Sequence, residues 1–109
     1  MDLNEYQAKS KKSALYPSFG AKYVYPALGL ASEAGEVAGK IKKAIRDNNG
    51  LINESRKDDI KGELGDVMWY VAQLATELGL TLDEIAQANI EKLYSRLERG
   101  TIHGDGDKR

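Results

Sequence analysis

At 109 residues and a formal net charge of −1, the chain suffices for one domain with one modest core and offers no electrostatic grip on long nucleic acid. With no cysteine it can hold neither a disulfide nor a thiolate-bound metal, which suits a reducing cytoplasm. No apolar run approaches the roughly 20 residues a bilayer demands, and the opening Met1-Asp2-Leu3-Asn4-Glu5 lacks a signal-peptide pattern, so a soluble cytoplasmic protein with no membrane partner is expected.

Helical spacing predicts four helices and no strands. The first, from about Asp2 to Ala14, is mostly polar and carries Leu3, Tyr6 and the basic residues Lys9, Lys11 and Lys12. A loop rich in Tyr16, Phe19, Tyr23 and Tyr25 follows. Pro26 suits the first turn of a second helix, which runs to about Arg46 on an apolar stripe of Leu30, Ala34, Val37, Ile41 and Ile45. Asp47-Asn48-Asn49-Gly50 should close it with a left-handed cap. The third helix is expected from Ser55, where Ser55 and Asp58 resemble a capping box, to Leu78, with Gly79 as its stop. Its middle, Val67 to Ala72, is apolar nearly all the way round, so more than one side needs covering and a subunit interface is inferred. Thr81 and Glu84 form a second capping box, opening a fourth helix that ends at Gly100. This reading makes residues 1–100 the domain and residues 101–109, glycine-rich and charged, a flexible C-terminal tail.

Two short strings carry the chemistry. Glu33-Ala34-Gly35-Glu36-Val37 and Glu63-Leu64-Gly65-Asp66-Val67 each set two acids three residues apart, on one face of a helix. Packed side by side, the two helices would converge four carboxylates that repel one another and raise their own pKa values. A hard divalent cation, Mg²⁺ or Mn²⁺, relieves that repulsion. Spacing alone leaves the alternative of a solvated face open, with Lys40 one turn after Glu36 as its ion-pair partner. The strings also form a faint internal repeat, and the mid-helix glycines Gly35 and Gly65 suggest close helix contact or room for a ligand.

The double acidic motif, preceded by Tyr25-Pro26-Ala27-Leu28-Gly29-Leu30 and followed by Trp69-Tyr70 and Asn89-Ile90-Glu91-Lys92-Leu93, resembles the MazG-like nucleoside triphosphate pyrophosphohydrolases over about residues 3–100. These belong to the all-α NTP pyrophosphatase superfamily. The resemblance implies an all-α, four-helix-bundle-like MazG fold, completed by assembly into a homodimer or homotetramer. It implies hydrolysis of a nucleoside triphosphate between the α and β phosphates, with two or three Mg²⁺ ions, or Mn²⁺, per site. Carried over residue by residue, Glu33, Glu36, Glu63 and Asp66 become the metal ligands. Glu36, with Glu33, becomes the candidate catalytic acid pair, Glu36 as general base. Asn89, Lys92 and Arg96 become the triphosphate grip, and they also fall on one face of the fourth helix.

Other residues are weaker candidates. Lys57 and Lys61 lie one turn apart before the second acidic pair and could reach phosphate, or face solvent. Tyr70, one turn after Asp66, could contact substrate, whereas Trp69 suits a core or interface. The Tyr16–Tyr25 loop is a better place for base contacts, and His103 reads as a surface residue. Two alternatives stand beside this reading: a phosphoribosyl-ATP pyrophosphohydrolase, and a non-catalytic metal-binding helical assembly module.

Overall fold

A computed structural model describes residues 1–109 as four helices without a strand: α1 (Leu3–Lys11), α2 (Val24–Asn48), α3 (Glu54–Glu77) and α4 (Leu82–Arg99). α2 and α3 form the central hairpin, α1 lies across α3, and α4 is held mainly by α1. The all-α class is as expected.

Local chemistry sets the helix ends. Asp2 caps α1 by accepting from the Glu5 N–H at 2.8 Å. α2 begins two residues before Pro26, still within the turn where a missing N–H costs nothing, and closes on Asn49 and Gly50, both left-handed. At α3 the cap is not Ser55 but Asn53, whose side chain accepts from the Arg56 N–H at 2.8 Å, so the Ser55–Asp58 box does not form. At α4 the reciprocal box of Thr81 and Glu84 is present on both sides.

Gln7 of α1 ties the α3–α4 corner. Its amide nitrogen donates to Thr76 Oγ1 at 3.0 Å and to the Leu80 carbonyl at 2.9 Å, while its oxygen accepts from the Leu82 N–H at 2.8 Å. Asn4 Oδ1 accepts from the Asp83 N–H at 3.2 Å. Beneath this joint lies a small core of Ala72, Ala75 and Leu82, with Tyr6 and Val71 packed on it.

The chain is open. Its radius of gyration is 16.8 Å, where a domain of this length has about 13 Å. Its accessible surface of 7908 Å² exceeds by about 1900 Å² that of a well-packed protein of 12.0 kDa. Large apolar side chains stand exposed on three helices: Leu28 and Ile45 on α2, Leu64 (50%) and Met68 (48%) on α3, and Tyr94 and Leu97 on α4. Ile52, Ile60, Leu64 and Met68 line a groove of about 800 Å³ along α3. Within the all-round apolar stretch from Val67 to Ala72, Met68 is exposed, Ala72 is buried and the other four are half-buried.

Glycine matters most at Gly29. A Cβ there would overlap the Tyr70 ring, whereas one at Gly35 or Gly65 would meet nothing within 4 Å. Close helix contact therefore occurs at Gly29, and the repeat glycines face open space instead. Gly29→Ala should lose about 1–2 kcal/mol net, because overpacking outweighs the ~1 kcal/mol that alanine gains in a helix. Gly35→Ala should gain up to about 1 kcal/mol. Urea unfolding of the two variants checks both signs.

Candidate functional site

The hairpin brings three acids together. One carboxylate oxygen each from Glu33 on α2 and from Glu63 and Asp66 on α3 lie within 4.8 Å of one another. Glu33 and Glu63 are half-buried and Asp66 is exposed. Burial first, then the negative charges of Asp66 and Glu63, raise the Glu33 pKa above the usual carboxylate range. The fourth acid, Glu36, stands outside this cluster, although its charge adds to the upward push on Glu33. Burial pattern repeats across the two motifs as well: Glu33 and Glu63 are half-buried, while Glu36 and Asp66 are exposed.

Tyrosines surround the acids. Tyr70, seated on Gly29, has its phenol raised by burial and then by the nearness of Tyr25, Glu33 and Asp66. Burial, followed by the Asp66 charge, also raises Tyr6. Tyr25, Leu28, Gly29, Ser32, Glu33 and Tyr70 line a pocket of about 340 Å³. Next to it Tyr16 stacks on Tyr25 at 5.4 Å between ring centroids, and Trp69 meets both Tyr16 and Tyr70 edge-on. Trp69 is only half-buried, and its indole N–H donates to Ser13 Oγ at 2.9 Å. Tyr16 donates its hydroxyl to Glu77, and burial together with that bond pushes its pKa up to about 12. The loop singled out for its aromatics is therefore built onto α3 beside the acids.

The candidates for holding phosphate divide. Asn89 lines a second apolar groove with Leu3, Val67, Val71 and Ile85, so it faces α3. Lys92 and Arg96 instead meet residues 101–109, which fold back as turns on the end of α4. Lys92 Nζ pairs with Asp107 Oδ1 at 2.7 Å. Arg96 is only 5% exposed and donates to the Asp107 main-chain oxygen. Lys61 lines the apolar groove with Leu64 and Met68, and Lys57 borders it too. Lying two residues before Glu63, Lys61 projects about 200° away round the helix, so α3 does not carry it to the acids. His103 is exposed, as expected.

Comparison with known proteins accords with this arrangement. The family model of the MazG nucleotide pyrophosphohydrolase domain matches residues 26–100. The chain belongs to this family. The matched span of the MazG domain takes in both acidic strings, Tyr70, Asn89, Lys92 and Arg96. The "Gene 37 protein" of Mycobacterium phage L5 is similar to it, 46% identical over 114 residues that cover 100% of each chain. No solved structure matches. In this MazG domain the donor set suits a hard divalent ion: three carboxylates, no sulfur or imidazole, and mutual repulsion that a cation would relieve. None of the four helices is long and apolar enough to cross a membrane.

Proposed function

We propose that the protein hydrolyses a nucleoside triphosphate to the monophosphate and pyrophosphate, with Mg²⁺ or Mn²⁺ held by Glu33, Glu63 and Asp66 and reached by Glu36. The single observation that carries the reading is the convergence of the three carboxylates across α2 and α3 inside a MazG domain. When bound, two or three such ions would offset the charge of the phosphates and orient the attacking water.

The remaining work falls to side chains. Glu36, outside the tight cluster yet beside it, is free to take the proton of the attacking water as general base. Asn89 and Lys92, one turn apart on α4, hold the phosphate tail, and Arg96 adds charge behind them. The pocket under Tyr70 and Tyr25 offers aromatic faces and the Ser32 hydroxyl to the nucleoside. In the reducing cytoplasm such an activity would adjust or cleanse a nucleotide pool.

A panel of ribo- and deoxynucleoside triphosphates, read by pyrophosphate release, tests the proposal. Turnover of at least one substrate should require Mg²⁺ or Mn²⁺ and stop with EDTA. Full activity in excess chelator would refute the metal reading, and no turnover on any triphosphate would leave the metal-binding assembly module. Phosphoribosyl-ATP as the preferred substrate would place the chain with the related pyrophosphohydrolases instead.

We also propose that the chain works as a homodimer or homotetramer. The surplus of about 1900 Å² per chain is in the range that obligate interfaces bury. Light scattering at micromolar concentration should give at least twice the 12.0 kDa chain mass, and a monomer mass would overturn this.

A further inference from the structure

Five basic side chains and one acidic side chain meet at the end of α4. Lys92, Arg96 and Arg99 from the helix and Asp107, Lys108 and Arg109 from the following segment line a pocket of about 280 Å³ that no hydrophobic residue enters. Asp107 is the sole acidic side chain among them, and the Arg109 main-chain oxygen accepts from Arg99. The Asp107 carboxylate lies 2.7 Å from Lys92 Nζ and 3.4 Å from Arg96 Nη2. Arg96 is almost wholly buried, yet its Nε has no hydrogen-bond partner.

The backbone is shaped to deliver this carboxylate. Gly104 and Gly106 take positive φ angles of 136° and 85°, which turn the segment back toward α4. Arg109 then holds the turn closed by donating to the carbonyls of Thr101, Ile102 and Gly106. Lys92 and Arg96 in turn hold Asp107 below the usual carboxylate range, so it stays charged at neutral pH. A carboxylate gripped between a lysine and an arginine sits where a phosphate oxygen would sit.

We infer that Asp107 is an intramolecular counter-anion capping Lys92 and Arg96, and that a polyphosphate must displace it to engage them. This rests on the proposed phosphate-facing role of those two residues. The Asp107 side chain is 76% exposed, so the pair it makes is weak and readily exchanged. A chain of linked phosphates brings several oxygens against one carboxylate, which makes the displacement favourable for a triphosphate.

The test is calorimetric binding of inorganic tripolyphosphate to the whole protein in EDTA at low salt. Without metal the acid cluster repels phosphate, so the heat reports the cations of α4. Asp107→Asn should bind about twofold to fivefold tighter than the wild type. Asp105→Asn makes the same charge change in the same segment, but Asp105 has no ion-pair partner, so its affinity should stay near wild type. In the wild type, amide hydrogen exchange of residues 101–109 should quicken when tripolyphosphate is added. Equal affinity in the two variants, weaker binding by Asp107→Asn, no binding at all, or slower exchange would each overturn the inference. Failure of the catalytic reading is separate, since it shows as no pyrophosphate release by wild type with Mg²⁺.

Discussion

Glu33→Gln should cost at least about a thousandfold in kcat, or ~4 kcal/mol of barrier, while making the metal-free protein more stable. Both effects come from the same crowding. Glu33 is the one acid that α2 contributes to the tight cluster, so losing its charge leaves an ion to the two α3 acids and to Glu36, which stands outside the cluster. A carboxyl whose pKa is raised by folding is ionised against resistance. Stability of the apo fold therefore declines as pH rises from the ordinary glutamate value, about 4.3, through the raised one, and the loss is complete above it. At pH 7 without metal, Glu33→Gln should melt higher than the wild type, and below about pH 4 the two should coincide. With Mg²⁺ the order should reverse, because only the wild type gains from binding. Thermal melts at both pH values, with and without Mg²⁺, check this alongside kcat. A variant of near wild-type turnover would remove Glu33 from the site.

Lys92→Ala should lose about 2–3 kcal/mol of transition-state stabilisation, roughly 30- to 150-fold in kcat/KM. The loss should be similar for every base, since a phosphate contact carries no base information. Lys61→Ala should change kcat/KM little, because Lys61 lines the apolar groove with Leu64 and Met68. Measuring both variants on two different triphosphates decides the matter. A base-dependent loss, or a larger effect at Lys61, would mean that the phosphate tail lies along another helix.

What the sequence made legible was what neighbouring residues decide among themselves. The Thr81–Glu84 box closes within one turn and can be read from four letters. At the α3 start the Ser55–Asp58 pair fits the same letter pattern, yet the helix begins at Glu54 and Asn53 is its cap, accepting from the Arg56 N–H. The acids were legible as pairs, but only the packing of α2 on α3 brings both members from α3 and one from α2 together. Gly29 was within the motif that flags the family, yet nothing local shows that Tyr70 needs its missing Cβ. The Asp107 contact joins residues fifteen apart across an irregular turn, where no periodic signal exists.

The joint made by Gln7 and Asn4 bears on how the protein should be handled. Two of the first free N–H groups of α4, those of Leu82 and Asp83, are satisfied by side chains of α1 rather than by the loop before them. The amino-terminal segment is thus a peg on which α4 hangs, and Asn89 and Lys92 hang with it. A bulky fusion ahead of Met1, or a binding protein that peels residues 3–11 from α3, would fray the start of α4 and unseat those two side chains. The three acids, seated on α2 and α3, would stay where they are, and such a preparation would still bind divalent metal while failing to hold nucleotide.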